Sequence, residues 1–310
     1  MAAMSTERDL TGWLAQFFGD QDPGVVIGIG DDGAVVRTSV RTVVACDPVV
    51  EGVHFTRADP LTMVGRKAVN RNLSDLAAMG ATPTYLLVSL LQPGWLDDRG
   101  REDLLVGIRK AAAAGGCTVV GGDVGCSPGG LIVTVTALGT APRRPLRRAG
   151  LAVGDSLHVT GPLGGSILGR HLKFTPRLAH GQWLASQRQV RSAIDISDGL
   201  LLDLATMLRA GSDARGGPMG AVLDAAAIPV SSAARRRAET SGQSGLRHAL
   251  TDGEDHELLF GARAPLAADG PLTARSRRPI GVVTSVAGIQ LRWPDGRLEA
   301  CEVEGYQHDV

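Results

Sequence analysis

The chain has 310 residues, 44% of them hydrophobic, with 32 Lys+Arg balancing 32 Asp+Glu to a formal net charge of zero. At ~150 residues per domain this is room for two domains, and without a basic surplus nucleic acid is not expected as a partner. No apolar run approaches the ~18 residues of a membrane span, and no secretion signal is read at the N-terminus.

Leu10, Trp13, Leu14, Phe17 and Phe18 fall at helical spacing and predict an amphipathic helix over 7–18. β-branched runs at 25–30, 34–36 and 42–45 predict strands. Residues 63–79 follow a helical period ending at Gly80, a plausible C-cap. A buried strand is expected over 84–91, a helix over 98–114 stopping at Gly115-Gly116, and strands at 118–120 and 131–138. The pattern then breaks at "TAPRRPLRRAGLAVG", rich in Pro, Arg and Gly, which places a boundary between domains 1–142 and 143–310. Strands at 156–160 and 192–196, a helix over 199–209 and a solvated helix and loop over 231–244 follow. Without regular βαβ repetition, both halves read as α+β or mixed α/β.

Several local motifs fail on their chemistry. "GIGDDG" at 28–33 matches the dinucleotide fingerprint in letters, but its two aspartates would stand where the pyrophosphate belongs, and a strand follows instead of a helix. "GPLGGS" at 161–166 lacks the Gly-Lys-Ser/Thr ending of a phosphate loop. "GDSL" at 154–157 is equally well a turn, and "DHE" at 255–257 is not a zinc-protease motif. Cys46, Cys117, Cys126 and Cys301 form no CxxC pair, so neither disulfides nor structural zinc are expected and a reducing cytoplasm fits.

Aspartates are more informative. Asp31-Asp32, Asp47, Asp75 in "NLSDLAAMG", Asp123 in "GGD", and Asp195 with Asp198 in "DISDG" recur at strand or helix ends. Singly, each is ordinary turn or N-cap chemistry, and Ser197 or Asp198 would cap the helix that follows. Jointly, carboxylates held at the edge of the core repel one another unless cations lie between them. Hard oxygen donors without a His/Cys cluster suit Mg²⁺, which keeps waters and is completed by substrate phosphates. The reading is a multi-Mg²⁺ site that handles a nucleotide without a Walker motif.

At these residues the chain resembles the thiamine-monophosphate kinase family, within the superfamily of aminoimidazole ribonucleotide synthetase-like ATP enzymes. The blocks are "GIGDDGAVV", "CDPVVEGVHF", "AVNRNLSDLAAMGATP", "VVGGD", "RRAGLAVGDSLHVTG", "AIDISDGLLLDL", "DGEDHELLF" and "GYQHD", in family order from 27 to 308. The resemblance implies a two-domain fold whose N-terminal strands pair across a homodimer, with ATP as co-substrate and Mg²⁺ as cofactor. It implies direct in-line transfer of the ATP γ-phosphate to thiamine monophosphate. By the same resemblance Asp32, Asp47, Asp75, Asp123, Asp195 and Asp198 would hold Mg²⁺, joined by the backbone at Cys46. Gly122, Asp123, Arg148 and Ser197 would contact ATP, and His54, Glu254 and Tyr306 the thiamine end. No covalent nucleophile is expected. The chain departs from the family pattern in Ala45-Cys46 before Asp47, Val124 after "GGD", Asp252, and His256 in place of a frequent Tyr. The alternatives are a sibling enzyme that uses ATP, of the aminoimidazole ribonucleotide synthetase or hydrogenase-maturation kind, or a non-catalytic nucleotide-binding dimer.

Overall fold

In the computed structural model, residues 7–19, 22–29 and 34–305 are described. The chain divides into two units, Met1–Leu76 with Thr82–Ala141, and Ala77–Ala81 with Pro142–Val310.

The first unit opens with α1 (Glu7–Phe18), where Trp13 stacks on Phe17 at a centroid distance of 4.6 Å. β1 (Val25–Ile27) then pairs antiparallel with β2 (Val35–Val36). β3 (Thr42–Val50), α2 (Leu61–Ala78), β4 (Thr82–Pro93), α3 (Asp98–Gly115), β5 (Thr118–Ser127) and β6 (Ile132–Thr140) follow. The four strands form a sheet in the order β3-β6-β4-β5, parallel between β4 and β5 and antiparallel elsewhere. Asp97 starts α3 by accepting the Gly100 amide at 2.7 Å, and Gly116 ends it with φ 71°. The α2 and α3 backbones touch where a Cβ at Gly107 would lie 2.1 Å from the Thr62 carbonyl oxygen.

Two expectations change here. β3 runs past residue 45 through Asp47 and Pro48 to Val50, because an edge strand tolerates a proline that cannot donate to a ladder. The segment 84–91 is not a wholly buried strand: Leu86 and Leu90 are buried, whereas Leu87 and Leu91 are 38% and 37% exposed. One face of this sheet is therefore open, as antiparallel pairing permits.

The second unit contains β7 (Ser156–Val159), α4 (Arg170–Lys173), α5 (Leu178–Ser186), β8 (Val190–Asp195) and α6 (Leu200–Arg215). β9 (Gly220–Asp224), α7 (Ser232–Ser241), α8 (Gly245–Thr251) and β10 (Leu258–Ala262) come next, then β11 (Gly281–Thr284), β12 (Gly288–Arg292) and β13 (Leu298–Ala300). The sheet order is β13-β12-β9-β11-β7-β10-β8, parallel only between β9 and β12. Side-chain alternation divides the core. Ile194 and Leu259 join Leu157, Leu223 and Val283 under the apolar stripe Leu200, Leu204 and Met207 of α6. Ala193, Leu258 and Phe260 pack in a second cluster with Leu184 of α5. Each of the Leu, Ile, Val, Met and Phe side chains contributes roughly 1.5–3 kcal/mol. Among the described residues no helix is long and apolar enough to cross a membrane, and Cys46, Cys117, Cys126 and Cys301 are free.

Candidate functional site

In the second unit two loops meet at the end of β8 and are laced by their backbones. The Glu254 amide donates to the Ser197 carbonyl at 2.7 Å and the His256 amide to the Ile196 carbonyl at 2.8 Å. In return Ile196 donates to the Glu257 carbonyl at 2.8 Å. "DISDG" and "GEDHEL", distant in sequence, thus become one surface that carries Ser197, Asp198 and Glu254, with Asp195 buried at its edge.

Neither Ser197 nor Asp198 caps α6: the cap position is Gly199, and it carries no side-chain cap bond. The bond runs the other way. Asp203, in the first turn of α6, accepts the amides of both Ser197 and Asp198 at 3.1 Å and so sets the path of the loop. Burial, followed by the charges of Asp195 and Asp198, pushes the Asp203 carboxyl up to about 8.

Beneath this surface Glu257 is fully buried and accepts from Thr160 Oγ1 at 2.6 Å, from Arg177 Nε at 2.7 Å, and from Arg170. Burial alone would raise its carboxyl. The Arg177 hydrogen bond and the Arg177 and Arg170 charges outweigh that and hold it below the ordinary value. Neighbouring Asp255 goes the other way, pushed up to about 7 by burial despite the Gly164 amide at 2.7 Å. Arg148 is exposed at the start of a short 3₁₀ turn, with its carbonyl accepting from the Ser192 hydroxyl of β8 at 3.0 Å.

In the first unit Asn72 of α2 grips the backbone of Asp47, its Oδ1 accepting the amide at 2.9 Å and its Nδ2 donating to the carbonyl at 3.3 Å. Arg71 Nη2 lies 3.7 Å from the Asp47 carboxylate, while Arg71 Nε and Nη1 are buried without hydrogen-bond partners. Asp75 follows Arg71 by four residues, one turn along the same helix. Asp123 pairs with Ser89, in the row of Leu87 and Leu91 that faces away from the buried side, whereas Asp47 belongs to the row of buried Val43 and Val49. The register therefore does not bring these two aspartates to one face. Beside Asp123, a Cβ at Gly122 (φ 155°) would lie 1.8 Å from the Val88 carbonyl oxygen. Cys46 is exposed, and its Sγ accepts the Thr136 hydroxyl at 3.3 Å.

His54 is buried in the turn after β3. Its Nδ1 accepts the Val50 amide at 3.1 Å, and its carbonyl receives Lys67 Nζ at 2.5 Å. Asp32 and Tyr306 lie outside the described residues.

Asp203, Arg71, Lys67, Arg170 and Arg177 were given no role on sequence grounds. Only Asp203 carried a local signal, an acid in the first turn of a helix. Among the described residues no three His, Cys, Asp or Glu side chains are placed to hold a metal ion by themselves.

The family model for AIR synthase related protein, N-terminal domain, matches residues 30–141. A thiamine-monophosphate kinase of Rhodopirellula baltica is 37% identical over 305 residues, 93% of either chain. One of Escherichia coli is 35% identical over 260 residues, 76% of either chain. The solved structure described as AaThiL complexed with AMPPCP and TMP is similar with a TM-score of 0.75 at 27% identity, covering 98% of this chain and 97% of that one. The Escherichia coli hydrogenase maturation protein HypE, at 19% identity and a TM-score of 0.76 over 97% of this chain and 98% of its own, shares the fold.

Proposed function

The chain belongs to the thiamine-monophosphate kinase family, and on that premise we propose how its residues divide the work of phosphoryl transfer. The activity is ATP-dependent phosphorylation of thiamine monophosphate to thiamine diphosphate. The observation that carries the assignment of residues is the lacing of the "DISDG" loop to the "GEDHEL" loop, which brings Ser197, Asp198 and Glu254 to one surface with Asp195 buried at its edge.

The reaction brings two anions together, and the acceptor phosphate already carries its nucleophilic oxygen, so no strong base or covalent intermediate is required. Positioning and neutralisation in an in-line geometry supply the catalysis. Asp195 and Asp198 are hard oxygen donors whose charges, after burial, help to drive a third carboxyl, Asp203, up to about 8. That crowding is what a divalent cation relieves, and the donor set fits Mg²⁺, which retains waters and takes the rest of its shell from phosphates. Bound there, Mg²⁺ would neutralise charge on the transferring phosphate.

By the family resemblance, Asp47, Asp75, Asp123, the backbone at Cys46 and Asp32, which lies outside the described residues, are the Mg²⁺ ligands read for the first unit. Gly122, Arg148 and Ser197 contact ATP, with the Arg148 guanidinium suited to fork onto a phosphate. His54, Glu254 and Tyr306 receive the thiamine end, where the Glu254 carboxylate matches the cationic thiazolium. A homodimer is part of the reading: Val44, Leu87 and Leu91 leave 61%, 38% and 37% of their surface exposed on the open face of the four-stranded sheet, apolar area suited to a second copy. The free thiols support reading the protein as cytoplasmic.

The test is purified protein with ATP, Mg²⁺ and thiamine monophosphate, followed for thiamine diphosphate. Turnover that Asp75→Asn abolishes supports the assignment. ADP release that depends on a different acceptor would move the chain to a sibling activity.

A further inference from the structure

Among the described residues, Glu254 and His256 are the non-glycine positions with positive φ, at 60° and 50°. Histidine enters this region more readily than most side chains, and here the turn has a consequence for the ring. The His256 amide is spent on the Ile196 carbonyl, and the imidazole lies flat on Phe174, with centroids 3.9 Å apart and planes at 17°. Its Nδ1 is 3.3 Å from Asp195 Oδ2, with only 2% and 6% of the two side chains exposed. Nε2 is buried and makes no hydrogen bond. A carboxylate only accepts, so Nδ1 carries the hydrogen of this contact. Backbone, stack and carboxylate thus fix the ring in one orientation, and the fixed ring in turn holds the Asp195 carboxylate, the last residue of β8.

We propose that His256 is a positioning residue: its Nδ1–H, held rigid by the Phe174 stack, orients the Asp195 carboxylate so that Oδ1 is presented to a divalent cation. The proposal rests on the reading of Asp195 as a metal ligand given above. Groups that hydrogen-bond a ligand without touching the metal commonly change affinity or activity by about 10–100-fold when lost.

Two substitutions separate the N–H from the ring. His256→Asn keeps an amide N–H near the place of Nδ1 and suits a positive φ but removes the stack. His256→Phe keeps an aromatic ring for Phe174 but removes the N–H. Two readouts are taken on the full-length protein: direct Mn²⁺ binding without nucleotide, by loss of the free-ion EPR signal, and kcat with its Mg²⁺ requirement. His256→Phe is expected to weaken Mn²⁺ binding and raise the half-saturating Mg²⁺ concentration by about tenfold or more, while His256→Asn stays within about threefold of wild type.

Wild-type values in His256→Phe overturn the proposal, whether or not His256→Asn suffers a loss that would point to the stack. So does an equal loss in both variants, which would assign the effect to packing of the native side chain rather than to its N–H. Asp195→Asn is the reference. If it retains wild-type Mn²⁺ binding and turnover, the reading of Asp195 fails and the proposal with it. If it loses both while His256→Phe does not, only the positioning role fails.

Discussion

Replacing Glu257 by alanine would leave Arg170, Arg177 and Thr160 facing a void where a fully buried carboxylate had accepted from all three. Removing one partner of a buried ion pair costs about 3–5 kcal/mol. The Arg170 and Arg177 side chains stay 25% and 30% exposed and recover some hydration, which sets the expectation near the lower end, about 3 kcal/mol. Glu257→Gln keeps the shape and loses only the charge, so it should cost less, about 1–2 kcal/mol. Because the folded carboxyl is held below its ordinary value of 4.5, its contribution is complete above that pH and fades as pH falls through the lower folded value. Urea unfolding followed by circular dichroism from pH 3 to 8 measures both effects. The gap between wild type and Glu257→Gln should be flat from pH 5 to 8 and close toward pH 3. An alanine variant within about 1 kcal/mol of wild type, or a gap that does not close in acid, would refute the reasoning.

Asp255 should show the opposite dependence. Its carboxyl is pushed up to about 7 from 3.8, so the wild-type protein loses stability as pH rises from 3.8 to about 7. Asp255→Asn, which cannot ionise, should gain on wild type by a few kcal/mol between pH 5 and 8 in the same unfolding series. Gly122→Ala forces a methyl to within 1.8 Å of the Val88 carbonyl oxygen at a backbone angle that L-residues avoid, and should cost more than about 2 kcal/mol in thermal unfolding. Asn72→Ala removes both bonds that fix the Asp47 backbone and a third to the Ala68 carbonyl. A loss of about 1–3 kcal/mol is expected from urea titration.

Sequence periodicity is most readable where caps and apolar spacing agree. The helix expected over 7–18 is α1, Glu7–Phe18, and the glycines expected to stop a helix near 115 do stop α3. It fails where tertiary pairing supplies the signal. β10 is an unbroken apolar run, "LLFGA", buried at every residue between β7 and β8, and such a run has no period to read. β9 and β11 to β13 are short strands in Gly- and Pro-punctuated sequence and gain their identity from their sheet partners. The acidic residues at the surface formed by the two loops were legible as a pattern of Asp beside Gly and Ser. Their support was not: Arg170 and Arg177 reach Glu257 across 87 and 80 residues, and Asp203 acts on a loop whose fold-back no local rule gives.

The account turns on Asp195 taking part in moving a phosphate from ATP to thiamine monophosphate. Label transfer from [γ-³²P]ATP into thiamine diphosphate measures this directly. One labelled product per ATP consumed is expected with the wild-type chain, and a rate at least about a hundredfold lower with Asp195→Asn of unchanged melting temperature. Label released as inorganic phosphate with no thiamine diphosphate, or transfer unchanged in Asp195→Asn, would contradict it.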